Sequence, residues 1–221
     1  MIQTVIFDMD GTLYSSEEMI LPAYQRGIRA FNKRNPHQEV PIPTLDSILA
    51  LLGFPINEIY STLFPSLSSD GMLEIRELIL TELLKAIRNK EGQLFPGVID
   101  SLHELSRRGY GMYIASNGQS LYLEAILESY DLISLFQPII TLDYKSLCDK
   151  GDILLAYQKR DQLDKAKVVM VGDRDSDMDA AQKMGCAFIA CQYGHGDKSE
   201  TESAEIIVSS FPEVIGWIER I

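Results

Sequence analysis

Thr4-Val5-Ile6-Phe7-Asp8-Met9-Asp10-Gly11-Thr12 is the stretch that decides the fold. A β-branched and apolar run feeds directly into two acids and a glycine, which predicts a buried strand over residues 4–7 ending in a polar turn. Two later stretches repeat that design. Residues 111–115 lead into Ser116-Asn117-Gly118, and residues 168–171 into Gly172-Asp173-Arg174-Asp175-Ser176-Asp177. Open parallel sheets bind ligands at the carboxyl ends of their strands. Three strand ends therefore bring acids and a hydroxyl to one rim.

Working outward, residues 98–108, 121–130, 151–160 and a run closing at Met184 carry helical spacing, as does a final segment ending at Ile221. Short apolar runs at 111–115, 139–142, 168–171, 187–190 and 206–208 alternate with them as strands. That alternation predicts an α/β chain with a Rossmann-like parallel sheet covered on both faces. Residues 16–91 differ: 20–32, 45–52, 57–64 and 72–88 are helical stretches separated by Pro and Gly breaks. The expected organisation is a discontinuous core, 1–15 and 92–221, interrupted after the first strand by a small all-helical cap domain at 16–91.

The 221 residues carry 32 acidic and 20 basic side chains, a formal charge of −12. A nucleic-acid groove and an anionic membrane surface both need clustered Lys and Arg, so neither is expected as a partner. With no basic leader and no apolar run of 18 residues, the reading is a cytoplasmic chain; monomer and dimer are both compatible with it. Cys148, Cys186 and Cys191 form no CxxC pair and read as small hydrophobes in a reducing compartment. His37, His103 and His195 are too scattered for a zinc site.

Asp8 and Asp10, two apart, project to one side if strand geometry continues. Two such carboxylates repel unless a cation or a shared proton intervenes. Asp173, with Asp177 close by, completes an all-oxygen set suited to Mg²⁺. Gly11 and Gly172 allow close backbone approach, and Ser116, at the head of a helix, offers a hydroxyl beside N–H groups that favour phosphate. A purely structural reading also exists, in which Ser176-x-x-Asp179 is a capping box and the acids merely favour a helix start. A calcium loop is disfavoured, because Met178 and Met184 stand where it needs Gly and Glu.

The motifs at Asp8–Thr12, Ser116, Lys150 and Gly172–Asp177, in that order, resemble the haloacid dehalogenase superfamily, in its phosphoglycolate phosphatase-like branch with a helical cap after the first strand. The resemblance implies a Mg²⁺-dependent phosphatase acting on a small-molecule phosphate ester. Asp8 would be the nucleophile that forms an aspartyl-phosphate, and Asp10 the general acid and base. The metal would take the Asp8 and Asp173 carboxylates and the Asp10 carbonyl, with Asp177 orienting a metal-bound water from behind. Ser116, Asn117, Thr12 and Lys150 would hold the phosphoryl oxygens. The family often shows Lys-Pro where this chain has Lys150-Gly151, and Lys145 lies only five residues earlier. Lys150 is favoured over Lys145 because it sits at the start of the helical run 153–160. In the cap, Gly53 and Phe54 form a loop expected to face the site, or a plain interhelical turn. The formally charged side chains of residues 35–75 are all acidic, so uncharged leaving groups are expected unless Arg26, Arg29 or Arg76 reaches in. Two alternatives are a sugar phosphomutase of the β-phosphoglucomutase type and a non-catalytic metal- or phosphate-binding protein. The first needs a grip on a second phosphate and the second a lost catalytic group.

Overall fold

The computed structural model describes residues 1–143 and 146–221, with Lys198 described by its backbone alone. Lys145, the second lysine considered for the phosphate, lies outside the described residues. In chain order the elements are β1 (Thr4–Phe7), β2 (Tyr14–Ser15), α1 (Glu17–Arg34), α2 (Leu45–Leu49), α3 (Ile56–Leu63) and α4 (Ser69–Arg88). Then come β3 (Gln93–Leu94), α5 (Val98–Arg107), β4 (Gly111–Ile114), α6 (Ser120–Ser129), α7 (Lys150–Asp161) and β5 (Val168–Gly172). The chain closes with α8 (Asp175–Met184), β6 (Ala187–Cys191), α9 (Lys198–Thr201), β7 (Ile207–Val208) and α10 (Glu213–Ile218).

The sheet is five-stranded and parallel, in the order β4-β1-β5-β6-β7. Side chains alternate across it, as strand geometry requires. Val5, Phe7, Met112, Ile114, Val169 and Val171 face a core built with α5, α6 and α10. Ile6, Tyr113, Val168 and Met170 face α7 and α8 through Leu154, Tyr157 and Met184. Both faces are covered, so the strands read as continuous apolar runs. The chain leaves β1 toward β4 and later returns to β5 on the opposite side of β1. The reversal of strand order therefore sits at β1, and its carboxyl end opens the crevice where such sheets bind ligands.

Residues 139–142 do not form the expected strand. The Ile140 N–H donates to the Tyr157 hydroxyl at 2.8 Å instead of a neighbouring strand, and the segment joins the α7 face as a loop. An apolar run bounded by turn residues does not by itself distinguish a ladder from packed coil.

Two short strands carry the chain out of the core and back. β2 and β3 pair antiparallel, Tyr14 opposite Leu94. Between them α1–α4 pack around their own cluster, including Ile20, Tyr24, Ile28, Phe31, Tyr60, Phe64 and Ile79. Thr44 and Ser68 cap α2 and α4 by accepting from the Ser47 and Gly71 N–H groups. The last turn of α4 places Ala86 and Ile87 in the main core. Among the described residues no helix is long and apolar enough to cross a membrane.

Candidate active site

Register brings the three strand ends level. Phe7 pairs with Ile114 on one side and Val171 on the other, so residues 8, 115 and 172 lie level at the rim of the sheet. The Asp8 N–H donates to the Val171 carbonyl and the Ala115 N–H to the Phe7 carbonyl, both inside 3 Å, which carries the ladder to the edge of the site. Strand geometry stops at Asp8. The Met9 carbonyl accepts from the Leu13 and Tyr14 N–H groups, making a tight turn that holds Asp10 beside Asp8 in one cleft.

Asp8, Asp173 and Asp177 offer carboxylate oxygens within 4.8 Å of one another, all buried. Lys150, 2% exposed, sets its ammonium 2.9 Å from Asp8 Oδ1 and 2.5 Å from Asp177 Oδ1. Three carboxylates against one ammonium leave an excess of negative charge at the buried base of a cleft. Burial raises the carboxyl pKa to about 6 at each of the three. Lys150 counters this at Asp8 and Asp177, whereas the Asp177 charge raises Asp173 further. Burial also works to lower the Lys150 pKa, but the Asp177 and Asp8 charges outweigh it and keep the ammonium above its ordinary range.

This donor set fits a hard divalent cation. Asp173 is held in place from several sides: His195 N–H and Gly196 N–H donate to Oδ2 at 2.8 and 3.0 Å, and Thr12 Oγ1 to Oδ1 at 3.2 Å. Gly11 and Gly194 line the cradle. A methyl group on either would come within 2.6 Å of the Asp173 side chain, and Gly11 also holds φ +86°.

Asp177 combines the two roles weighed for it. Its Oδ2 accepts from the Asp173 and Arg174 N–H groups at 3.1 and 3.0 Å, capping α8, while Oδ1 meets Lys150. The cap therefore begins at Arg174, two residues before the Ser176-x-x-Asp179 box expected from the sequence. Ser176 falls within the first turn instead.

Ser116 is buried in the turn after β4, where its Oγ accepts from the Gly118 N–H at 3.2 Å. It does not head a helix, because α6 starts at Ser120 with Gln119 as its N-cap. Thr12 directs its hydroxyl to Asp173. Asn117 donates Nδ2 to the Gly53 carbonyl at 2.6 Å, while its buried Oδ1 has no partner among the described residues.

Sequence reasoning missed Tyr122, whose hydroxyl donates to Asp10 Oδ1 at 2.8 Å. Burial raises the Asp10 pKa, and the Tyr122 bond opposes the rise. It also missed Arg174, which lies 5.8 Å from the Phe54 ring and pairs with Glu200 at 2.9 Å. The glycine-rich run at 194–196 was the visible signal for the Asp173 cradle. Nothing in the helical spacing of 121–130 marked Tyr122.

Gly53 and Phe54 line the cleft above Asp8 and Asp10, facing α1, α3 and α4. None of the three arginines considered there lines it. Arg26 pairs with Glu82 and Glu91, Arg29 is exposed, and Arg76 donates to Asn57 Oδ1 at 2.7 Å.

A family model described as haloacid dehalogenase-like hydrolase matches residues 5–191. The chain is 28% identical to the probable phosphatase IndB of Dickeya dadantii, covering 96% of this chain and 91% of that one. It is 25% identical to a phosphoglycolate phosphatase of Vibrio parahaemolyticus, over 97% and 95%. Among solved structures, a haloacid dehalogenase-like family protein of Streptococcus pneumoniae superposes with a TM-score of 0.80 at 25% identity, covering 98% of each chain.

Proposed function

The chain belongs to the haloacid dehalogenase-like hydrolase family, and from that premise we propose that it is a Mg²⁺-dependent phosphatase of small-molecule phosphate monoesters working through an aspartyl-phosphate. One observation carries the reading: a buried strand-end carboxylate, Asp8, is held by a buried lysine beside two further acids and a second carboxyl, Asp10, in the same cleft. Residues 16–91 act as its cap, over a core made of 1–15 and 92–221.

In the first half, an Asp8 oxygen attacks phosphorus and the bond from phosphorus to the ester oxygen breaks. Asp10 gives the departing alcohol oxygen its proton. Its raised pKa supports that protonated form, and the Tyr122 bond occupies Oδ1, leaving Oδ2 to carry the proton. In the second half, water attacks phosphorus, Asp10 takes its proton back from that water, and the bond to Asp8 breaks. Lys150 and Ser116 offset charge on the phosphoryl oxygens. Asp8, Asp173 and the Asp10 carbonyl would hold Mg²⁺, with Asp177 behind them; when bound, the ion screens carboxylate from phosphate and polarises the phosphoryl group. A mutase would need a seat for a second phosphate, and the cap wall above Asp10 is apolar.

The test is phosphate release from a panel of monoesters, with Mg²⁺ and after chelation. Wild type turns over and chelation stops it. Asp8→Asn falls below about one hundredth of wild-type turnover, with thermal stability unchanged or raised because a like-charge contact is relieved. Full activity in that variant overturns the covalent role, and full activity after chelation overturns the metal.

A further inference from the structure

The cleft that starts at Asp8 and Asp10 ends against the cap in a wall of Ile20, Tyr24, Leu52, Ile59, Leu80 and Leu83. Tyr24 and Tyr60 stack with ring centroids 6.2 Å apart, and burial keeps both phenols neutral. Among the described residues no Lys, Arg or His lines this cleft. Arg76 lies 5.7 Å from the Tyr60 ring centroid but outside the lining, donating to Asn57 Oδ1, and three further cations belong to a separate cleft beyond the Gly53–Pro55 turn, each already paired. Lys150 is held by Asp8 and Asp177, Arg174 by Glu200, and Lys183 by Asp149 and Asp152. His37 is exposed and takes no part in the wall.

We infer that the cap seats a compact, uncharged alcohol whose carbon skeleton meets this wall, and that it rejects leaving groups carrying a carboxylate or a second phosphate. The inference rests on the phosphatase reading and names its substrate class. A carboxylate placed there would lose its water without gaining a cation, and it would sit above the cluster of Asp8, Asp173 and Asp177, where three carboxylates already outnumber one ammonium. An apolar skeleton gains by displacing water from Ile, Leu and Tyr surface. The cleft holds about 80 Å³, roughly half the 150 Å³ of an apolar hole that takes benzene. A short or branched chain fits better than a nucleoside.

Isobutyl phosphate and phosphoglycolate form a matched pair, since both place a forked three-atom group on the first carbon and differ in its charge. Isobutyl phosphate is expected to show the higher kcat/KM by tenfold or more, about 1.4 kcal/mol. In calorimetry, 3-methylbutylphosphonate is expected to bind wild type at least tenfold tighter than 3-phosphonopropanoate. Leu52→Arg, which adds a cation to the wall from a half-buried loop position, should move both ratios toward the carboxylate. Phosphoglycolate equal or better, with the carboxylate phosphonate bound as tightly, overturns the inference and leaves the phosphatase reading intact. Absence of phosphate release from every ester overturns the phosphatase reading, and the ranking of the two phosphonates then decides the apolar seat. Should Leu52→Arg fail to fold, the wild-type pair still decides.

Discussion

Asp173 shows at the scale of one residue how this site stores charge. Its carboxyl is buried, next to Asp177, with a pKa raised to about 6 from an ordinary 3.8. A group whose folded pKa is raised binds protons more tightly in the folded state. Its contribution to stability is full below about pH 3.8 and is lost as pH climbs through about 6. Asp173→Asn removes that liability and keeps an oxygen for the His195 and Gly196 N–H groups. Without metal, the variant's advantage in stability over wild type should be small at pH 4.5 and larger at pH 7.5. Saturating Mg²⁺ should reverse the order at pH 7.5, because only wild type has the Asp173 carboxylate to bind it. Thermal melts of both proteins at the two pH values, with and without Mg²⁺, check this. A difference independent of pH and metal would remove Asp173 from the charge cluster.

Among the elements, the turns following the strands do more for the site than the strands themselves. The turn after β6 brings Gly194 against Asp173 Cβ and the Gly11 carbonyl, where an added methyl would lie 2.4 Å from each. Backbone at Gly11 cannot yield cheaply, so Gly194→Ala must shift Asp173. The expected result is a Mg²⁺ requirement raised tenfold or more, with about 1–3 kcal/mol lost in denaturant unfolding from overpacking. Gly216→Ala in α10 meets nothing within 4 Å and is the control. It should leave the Mg²⁺ requirement unchanged and be stabilising by about 1 kcal/mol through helix propensity. Titration of turnover against Mg²⁺ and urea unfolding of both variants separate a displaced ligand from a general loss of packing.

Over the whole molecule, two contacts tie the core rim to the loop between α2 and α3. Asn117 Nδ2 donates to the Gly53 carbonyl at 2.6 Å, and the Arg174 guanidinium lies 5.8 Å from the Phe54 ring. Asn117→Ala removes the first tie, worth about 1 kcal/mol, or about fivefold in the equilibrium for local detachment of that loop. Proteolysis near residues 50–55 of the substrate-free protein should quicken by that factor, while urea unfolding of the core changes little. A role for Asn117 confined to holding phosphate would leave the proteolysis rate where it is.

Sequence alone determined the sheet, the helical insertion and the acids at the rim. Strand and helix periods are local properties of the chain, and an acid directly after a buried strand has nowhere to go but the sheet edge. Lys150 was legible only as a candidate, since its Gly151 neighbour departs from the resembled pattern; its burial between Asp8 and Asp177 depends on α7 packing against α8. Tertiary structure alone decided that residues 139–142 stay out of the sheet, that Thr12 turns to Asp173, and that Tyr122 reaches Asp10 across 112 positions. The apolar wall above the acids was equally invisible, because it is assembled from three helices whose facing sides no single periodicity specifies. Each of these depends on which surfaces meet, and contacts between residues distant in sequence are set by the packing of whole elements.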